Sequence, residues 1–407
     1  MAAHEGTLGA VGVVGAGTMG AGIAQLAIEA GSLVLLNDVD TAAIERGRAR
    51  IRTGLERRAG RLDLDPESAE AWIEGRIDRL RDAPSLAEVA AAEPELVVEA
   101  ALEDLEAKRS IVRELDGLLG PTAIIATNTS AISVASIAEA AARPGRVLGL
   151  HFFNPAPVMP LVEVVVAPTT DRATVERAIA LMIAWGKVPV RCTDTPGFIV
   201  NRVNRPFTLE ALAILADDGG TIETIDAALR GAGFPMGPFE LMDLTGIDVT
   251  LAASGGIFER SRAAGDPLAE RFRPSPIQER LVAAGRLGRK TGGGFYDHGQ
   301  DSDPVGPAAR PAGTHPQDGA LPSERIVERI VLAIVNEAYR ALGDRVATAA
   351  DIDLAMRLGA AHPAGPFERA TALGGPQAVL DALGRYGNDG PRFDPAPALR
   401  SAATIGP

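Results

Sequence analysis

The sequence predicts an α/β domain of the doubly wound type, followed by an all-α region that contains two tandem copies of one helical unit. Three observations lead to this prediction. Over the first half of the chain, short β-branched runs alternate with longer alanine-rich amphipathic runs, as in a parallel sheet covered by helices. After Asp194 the strand-like runs end and helical patterns replace them. Landmarks of this helical region then recur further along the chain at a constant spacing.

The α/β domain is predicted to cover residues 1–195. Its strands are expected at Ala10–Val14, Leu33–Asn37, Leu96–Glu99, Ala123–Ala126, Val147–Leu150, Val162–Val166 and Val188–Arg191. A long segment, about residues 41–82, interrupts the usual return from the second strand to the third. This segment is therefore predicted to be an insertion in the sheet's connectivity.

The all-α region is predicted to begin with a first helical domain at 196–298. A linker follows at 299–323, because this stretch is rich in Pro, Gly and Asp and lacks apolar periodicity. A second helical copy is expected at 324–395. These boundaries divide the chain into a sheet domain and two helical units.

Landmarks of the first helical copy recur in the second copy in the same order. IVNR at Ile199 becomes IVER at Ile326, 127 residues later, and the Glu-Ala pair at Glu210 recurs at Glu337 with the same spacing. IDAALRGAGFPMGPFE also resembles IDLAMRLGAAHPAGPFE, with one extra residue before the shared GPFE. Two tandem copies are the simplest explanation, because unrelated helices would not reproduce these landmarks in register.

Composition excludes several classes of protein. The 407 residues are 46% hydrophobic and 23% charged, which is ordinary for a soluble globular protein. We expect a cytoplasmic protein, because no apolar run of about 18 residues could span a bilayer and the N-terminus lacks signal-peptide features. The single Cys192 and the spacing of the five histidines predict neither disulfides nor a metal site. The formal net charge of −13 disfavours nucleic acid as a partner.

The motif GAGTMG at Gly15–Gly20 predicts a dinucleotide site, because it follows a predicted strand and opens a predicted helix. Gly15 permits the tight turn, Gly17 lets the backbone approach a pyrophosphate, and Gly20 allows close helix packing. Thr18 and Met19 begin the helix, whose N-terminus offers N–H groups and a positive dipole end. A glycine-rich turn without a ligand is the alternative interpretation.

A carboxylate at the end of the second strand predicts the choice of cofactor. Asp38 follows the run LVLLN, eighteen residues after Gly20. At this place a carboxylate accepts hydrogen bonds from ribose hydroxyls and repels a 2′-phosphate. NAD is therefore favoured over NADP.

Polar residues follow the predicted strands where an open α/β sheet holds its ligands. Asn128 opens NTSAIS after one strand, and His151 opens HFFNP after the next. Oxidation of a secondary alcohol needs a base for the hydroxyl proton, and histidine titrates near neutrality. Glu163, on the following strand, would orient the imidazole and stabilise its charged form. From the residues alone, a structural histidine remains the alternative.

Several long strings resemble the signatures of the 3-hydroxyacyl-CoA dehydrogenase family. They are GLHFFNPAPVMPLVEVV, NTSAIS, DTPGFIVNR, GFPMGPFEL and GRLGRKTGGGFYD. The resemblance covers roughly residues 8–298 well and the second helical copy more loosely. It implies a Rossmann-type NAD-binding domain and NAD-dependent interconversion of L-3-hydroxyacyl-CoA and 3-oxoacyl-CoA, in fatty acid or related acyl-CoA metabolism.

The resemblance also implies roles for individual residues. His151 would be the base and Glu163 its orienting acid. Ser130 would hydrogen-bond the substrate oxygen, with Ser133 as a less favoured alternative because Ser130 holds the third place of NTS. The other implied residues are Asn154 and Asn201 near the substrate carbonyls, and Asn128, Glu103 and Lys108 on the cofactor side. For Glu103 and Lys108, a solvated helix face is equally compatible with the pattern.

An arginine-rich segment is the candidate site for coenzyme A. The resemblance implies a helical hairpin at about 41–82 that helps to hold CoA, and Arg57, Arg58 and Arg61 lie in it. Guanidinium groups suit phosphates through forked, charge-assisted hydrogen bonds. A solvated helix is the alternative interpretation.

The second helical copy has Glu328 where the first has Asn201, and no GRKTGGGFYD segment follows it. It is therefore predicted to be structural, either as an internal pseudo-partner in a monomer or within a homodimer. Two rival functions are a dehydrogenase of a non-CoA hydroxy acid, such as the gulonate-oxidising relatives, and a non-catalytic NAD-binding protein. Short, aromatic-pathway and dicarboxylic acyl groups are all compatible with the sequence.

Overall fold

The computed structural model describes residues 9–299 and 320–405. The chain divides into two compact units, an N-terminal unit at Met1–Asp194 and a C-terminal unit at Thr195–Pro407. Most of the linker predicted at 299–323 lies outside the described residues.

The N-terminal unit is built on an eight-stranded sheet with the order β3-β2-β1-β4-β5-β6-β7-β8. The strands are β1 Val11–Val14, β2 Val34–Asn37, β3 Leu80–Asp82, β4 Leu96–Glu99, β5 Ile124–Thr127, β6 Val147–Phe152, β7 Leu161–Val166 and β8 Val188–Thr193. The predicted parallel α/β architecture is confirmed, with one addition: β6 and β7 pair antiparallel. The sequence analysis missed β3, whose three residues are too short for a period-2 pattern.

Helices cover the sheet. They are α1 Thr18–Glu29, α2 Thr41–Ala59, α3 Pro66–Ile77, α4 Leu86–Ala91, α5 Leu105–Leu118, α6 Val134–Ala138 and α7 Arg172–Ala184. Five of them begin at a residue whose side chain accepts a backbone N–H of the first turn, which stabilises the helix start. These capping residues are Asp40, Asp65, Ser85, Asp104 and Ser133.

Helices α2 and α3 occupy most of the predicted insertion. They pack against each other, with Arg52 of α2 paired to Glu70 and Glu74 of α3. Helix α2 also lies close to α1, because a Cβ at Gly54 would come within 1.9 Å of the Gln25 side chain. The last residues of the segment predicted as a hairpin, 80–82, instead form strand β3.

The C-terminal unit is helical over its described residues, as predicted. Its helices are α8 Val200–Val203, α9 Arg205–Ala216, α10 Ile222–Gly231, α11 Pro238–Thr245, α12 Ile247–Ala263, α13 Pro276–Ala283, α14 Ser323–Gly343, α15 Ala349–Gly359, α16 Pro366–Ala372, α17 Pro376–Gly384 and α18 Pro397–Ile405. Helix α18 lies beyond residue 395, where the second copy was predicted to end.

Within the described ranges, no single helix has both the length and the apolar composition needed to cross a membrane. Helices α11 and α12 meet that test only when taken together, across a bend of 100°.

Candidate active site

His151 and Glu163 face each other across the antiparallel pair of β6 and β7. The pairing register sets the two residues directly opposite, and His151 Nδ1 lies 2.6 Å from Glu163 Oε2. Both are buried, with 6% and 0% of their surface exposed. A carboxylate beside Nδ1 favours the tautomer that carries the proton there, which makes Nε2 the basic nitrogen of the neutral ring. The antiparallel step therefore brings together two residues that are twelve positions apart in the chain.

Asn128 links the ends of two neighbouring strands through a hydrogen bond. It follows β5, and its Oδ1 accepts a hydrogen bond of 3.0 Å from the backbone N–H of Phe152, at the end of β6. Asn128 thus fixes the backbone next to His151. This contact is structural, and its predicted contact with the cofactor stays a prediction.

The NTS loop after β5 is held by Glu103. One carboxylate oxygen of Glu103 accepts hydrogen bonds from the Thr129 hydroxyl and from the backbone N–H groups of Ser130 and Ala131. Burial alone would raise the pKa of Glu103, but the hydrogen bond from Thr129 and the charge of Lys108 outweigh it and hold the pKa below its usual value. The ionised carboxylate therefore anchors the loop that carries Ser130.

The two candidate serines of this loop differ in their contacts. The Ser133 hydroxyl donates to Asp194 Oδ2 at 2.6 Å and accepts from the backbone N–H of Ser136, at the start of α6. Ser130 is exposed, and its hydroxyl makes no hydrogen bond to any residue that the structure describes. The geometry therefore favours Ser130 over Ser133 as a hydroxyl available to a ligand.

Lys108 lies in a buried ion pair and not on a solvated helix face. It is 1% exposed, and its Nζ lies 2.8 Å from Glu99 Oε1 and 3.2 Å from Glu103 Oε2. The Thr127 hydroxyl donates to the other oxygen of Glu99 at 2.6 Å. Ionised groups this deeply buried need such partners. The network joins the carboxyl ends of β4 and β5 to α5.

The glycine-rich turn between β1 and α1 has the shape of a dinucleotide cradle. Gly15 has a φ of +101°, and a Cβ at Gly20 would lie 1.7 Å from the Gly15 carbonyl oxygen. A Cβ at Gly17 would meet nothing within 4 Å, so a ligand could approach the backbone there. No side chain caps the N-terminus of α1. Asp38 accepts the Ala16 N–H at 2.6 Å, which places its carboxylate beside this turn. The residues present fit a bound NAD.

Lys187 holds the segment that follows Asn154. Its buried ammonium donates to the carbonyl oxygens of Ala156 and Met159 at 2.6 and 2.8 Å. Burial lowers the pKa of Lys187 to about 8. Asn154 itself is exposed on this segment.

A cavity of about 620 Å³ lies in the N-terminal unit between α1, α2 and the segment after β6. Its lining includes Thr18 of the glycine-rich turn, Asn154, and four arginines of α2 and the turn that follows it. These are Arg50, Arg57, Arg58 and Arg61. One acidic side chain, Glu29, also lines it and lies 3.7 Å from Arg58. The three arginines predicted from sequence are thus brought to one cavity.

Comparison with known families agrees with this geometry. The model of the 3-hydroxyacyl-CoA dehydrogenase NAD binding domain matches residues 10–195. The model of the same family's C-terminal domain matches residues 197–298 and 326–406. The chain belongs to the 3-hydroxyacyl-CoA dehydrogenase family.

Relatives of several kinds share this family's sequence. A 3-hydroxyadipyl-CoA dehydrogenase of Escherichia coli is 37% identical, over 97% of each chain. A mitochondrial hydroxyacyl-coenzyme A dehydrogenase of Rattus norvegicus is 40% identical, over 70% of this chain and 90% of its own. A crystal structure of a 3-hydroxybutyryl-CoA dehydrogenase from Escherichia coli covers 98% of each chain with a TM-score of 0.85 and 35% identity.

Membership of the 3-hydroxyacyl-CoA dehydrogenase family confirms the predicted activity and cofactor. The chain is an oxidoreductase that uses NAD to interconvert 3-hydroxyacyl-CoA and 3-oxoacyl-CoA. Of the predicted residues, His151, Glu163, Ser130, Asn154 and those of the glycine-rich turn lie in the N-terminal unit. Asn201 lies half-buried on α8 of the C-terminal unit.

Sequence reasoning missed four polar residues of this dehydrogenase that hold the site together. They are Glu99, Thr127, Thr129 and Lys187. A signal for three of them was present in the sequence, because Glu99 and Thr127 end buried strands and Thr129 follows one. Lys187 had no such signal, since its partners are backbone carbonyls 28 and 31 residues away.

Proposed function

We propose that His151 is the general base and acid of the dehydrogenase reaction, with Glu163 as its orienting carboxylate. In the oxidative direction, His151 Nε2 takes the proton of the substrate's 3-hydroxyl. Bound NAD supplies the chemistry of hydride acceptance. The Glu163 carboxylate holds the ring and stabilises the imidazolium until the proton is released. The observation that carries this proposal is the buried 2.6 Å contact between His151 Nδ1 and Glu163 Oε2.

Neutral donors complete the proposed site. The Ser130 hydroxyl would hydrogen-bond the 3-oxygen, supported by its exposure on a loop that Glu103 anchors. Asn154 and Asn201 would donate to the substrate carbonyls. Such groups stabilise negative charge on oxygen without competing with His151 for the proton. The assignment of Asn201 rests on family resemblance.

The cofactor residues follow from the glycine-rich turn. The proposed set is Gly15, Gly17, Thr18, Met19, Gly20 and Asp38, with Asn128, Glu103 and Lys108 on the nicotinamide side. The open space at Gly17 and the uncapped start of α1 support phosphate binding there. The buried pair of Lys108 and Glu99 supports an indirect role for Lys108, in which it orients Glu103.

Coenzyme A would bind in the arginine-lined cavity. Arg57 and Arg61 are exposed and form no ion pair with the described residues, so their guanidinium groups are available to phosphates. Other arginines of α2 are already engaged: Arg48 pairs with Asp82, and Arg52 with two glutamates of α3. The cavity's continuity from Thr18 to Asn154 supports one site for the two neighbouring ligands.

Substitution of the histidine and its carboxylate tests the catalytic proposal. Loss of NADH absorbance with acetoacetyl-CoA measures the reverse reaction. We expect His151→Gln to lower kcat by about 1,000-fold and Glu163→Gln by about 100-fold. His298→Gln is the matched control, because His298 also pairs with a carboxylate, that of Asp243, and is expected to keep its activity. A His151→Gln enzyme with near-normal kcat would refute the proposal.

The helical region is proposed to consist of two copies of one unit, at 196–298 and from 324 onwards. Equivalent acids cap equivalent GPFE segments: Asp226 accepts the N–H groups of Phe239 and Glu240, and Asp353 accepts those of Phe367 and Glu368. The C-terminal domain model also matches two stretches of the chain. Both observations support the duplication.

The two copies are further proposed to form an internal pseudo-dimer. Arg202 of the first copy pairs with Glu337 of the second, and Arg329 of the second pairs with Glu210 of the first. Such reciprocal contacts characterise a two-fold interface. We therefore expect a monomer, and light scattering should give a mass near 42.2 kDa. A mass twice as large would refute the monomer.

A further inference from the structure

Arg205, the first residue of α9, is a buried cation without a protein partner. Only 7% of the surface of Arg205 is exposed, and its Nε atom is buried without a hydrogen bond. Across the part of the chain that the structure describes, no carboxylate forms an ion pair with it. Burial lowers the pKa of Arg205 to about 10, so the guanidinium still carries its charge at neutral pH. An unpaired buried charge is strongly destabilising, and its presence needs an explanation.

Two neighbouring buried arginines of the C-terminal unit are neutralised within the fold. Arg202 pairs with Glu337 and Asp344, and Arg271 pairs with Glu337 and Asp266. Arg202 lies only three residues before Arg205, on the adjoining helix. The fold therefore supplies carboxylates to these two guanidinium groups and none to Arg205. Arg340 is also buried without an ion pair, but its guanidinium donates to the carbonyl oxygen of Asp394.

The second helical copy indicates that packing does not require an arginine at this position. With the spacing of 127 residues that relates the copies, Leu332 occupies the place of Arg205, and it is completely buried in α14. Asn201 likewise corresponds to Glu328. The first copy thus carries a polar pair, Asn201 and Arg205, where the second has residues that serve its own packing and ion pairs.

We propose that Arg205 binds a carboxylate at the far end of the acyl chain, so that this dehydrogenase acts on 3-hydroxy dicarboxylyl-CoA thioesters. This inference rests on the proposed contact of Asn201 with the substrate carbonyls. Asn201 and Arg205 are four residues apart, with Asn204 between α8 and α9 in a helical conformation, so they lie one turn apart on one face. Arginine is suited to this role because its guanidinium meets a carboxylate through two parallel hydrogen bonds.

The dimensions fit a short diacid. One helical turn rises about 5.4 Å, and the extended carbon chain between the thioester carbon and the distal carboxyl carbon of an adipyl group spans about 6 Å. A side chain on a helix also leans towards the N-terminus, which for Arg205 is the turn that bears Asn201. The Escherichia coli relative named 3-hydroxyadipyl-CoA dehydrogenase, which aligns over 97% of both chains, agrees with this substrate class.

A matched pair of substrates tests the proposal. 3-Hydroxyadipyl-CoA and 3-hydroxyhexanoyl-CoA have the same chain length and differ in a terminal carboxylate against a methyl group. We expect the wild-type enzyme to favour the adipyl thioester in kcat/KM by about 10-fold or more. Arg205→Met should lower this preference about 10- to 100-fold, mainly by raising KM for the adipyl thioester. Arg205→Lys should retain part of it, and Arg280→Met, which removes an exposed guanidinium of the same unit, should retain all of it.

The other outcomes overturn the inference in distinguishable ways. Equal use of both thioesters by the wild type, or an equal loss on both in Arg205→Met, would refute a role for Arg205 in recognising the distal carboxylate while leaving the dehydrogenase activity intact. Turnover of neither thioester, nor of acetoacetyl-CoA, would refute the proposed function as well. Arg205→Leu, which installs the residue of the second copy, should raise Tm; a large fall in Tm would identify Arg205 as structural and refute the inference.

Discussion

Glu210 and Glu337 lie in two helices, 127 residues apart, and each accepts hydrogen bonds from two buried or half-buried arginines. The arginines are Arg329 and Arg392 for Glu210, and Arg202 and Arg271 for Glu337. In each case both arginines come from the other of the two proposed helical copies. The proposed interface between the copies therefore has a charged centre on both sides of its pseudo-two-fold axis.

Removing the charge of Glu337 should destabilise the C-terminal unit. Burial alone would raise the pKa of Glu337, but the charges of Arg202 and Arg271 outweigh it and keep the pKa below its usual value. Glu337→Gln would leave Arg202 and Arg271 with only the more exposed carboxylates of Asp344 and Asp266 as counter-charges. We therefore expect a loss of about 3 kcal/mol in the free energy of unfolding. Urea denaturation of the full chain measures this change in the free energy of unfolding.

The reciprocal arrangement provides a second test of the same idea. Glu210→Gln should destabilise by a similar amount, since Glu210 has the same relation to Arg329 and Arg392. Glu324→Gln, an exposed position on α14, is the control and should change stability by less than about 0.5 kcal/mol. A loss below about 1 kcal/mol in both buried variants would contradict the charged interface.

His362 should make the protein sensitive to mild acid. Burial, followed by the charge of Arg369, lowers its pKa from 6.5 to about 3. The imidazole therefore binds a proton more readily in the unfolded chain than in the folded one. As a result, the free energy of unfolding falls once the pH drops below 6.5, by about 1.4 kcal/mol per pH unit down to pH 3. Above pH 6.5 this contribution is absent.

A substitution taken from the first copy isolates this effect. In the proposed duplication Phe234 holds the equivalent position, and its ring packs edge-on against His362 with centroids 5.0 Å apart. His362→Phe removes the hydrogen bond to Asn204, so we expect a loss of about 1 kcal/mol at pH 7. Between pH 6.5 and 4 its stability should fall less steeply than that of the wild type. Parallel stability curves over this range would show that His362 does not titrate as described.

The arginine-lined cavity predicts a charge-dependent affinity for the thioester substrate. Arg57→Glu should raise KM for acetoacetyl-CoA by about 5- to 20-fold, because a carboxylate would repel the CoA phosphates, with a smaller change in kcat. Added salt should reduce the difference in KM between this variant and the wild type, because it screens the charges. Arg46→Glu is the matched control, since Arg46 is exposed on the same helix but does not line the cavity. Equal effects of the two substitutions would point to the net charge of α2 alone.

Much of the fold and part of the site could be predicted from sequence because their signals are local. A buried strand, a glycine-rich turn and a capping residue each reveal themselves within a few positions. Asp38 was predicted because it follows a strand close to that turn. In the structure its carboxylate accepts a hydrogen bond from the Ala16 N–H of the turn. The pair of His151 and Glu163 was predicted from adjacent strands, although the antiparallel register that aligns them was not.

The remaining features depend on contacts between distant parts of the chain. In the sequence, Lys108 is one of many charged residues on an amphipathic helix. Only the packing of α5 against β4 brings it to Glu99. Lys187 acts through backbone carbonyls, which carry no sequence signature. Arg205 could have been singled out by comparing the helical copies, because Leu332 stands at the equivalent position.

Glu103 offers a direct comparison between loop anchoring and cofactor binding. All three hydrogen bonds that it accepts from the NTS loop reach the same oxygen, Oε1, while Oε2 faces Lys108 at 3.2 Å. Glu103→Gln keeps an oxygen acceptor for the loop, whereas Glu103→Ala removes it.

If anchoring dominates, Glu103→Ala should lower kcat by about 10- to 100-fold and Glu103→Gln should retain most of the wild-type kcat. Steady-state kinetics with varied NADH and acetoacetyl-CoA separates the two roles. A Glu103→Gln enzyme with a normal kcat but a much higher KM for NADH would instead identify the carboxylate as a ligand of the cofactor, since the amide preserves the loop and removes only the negative charge.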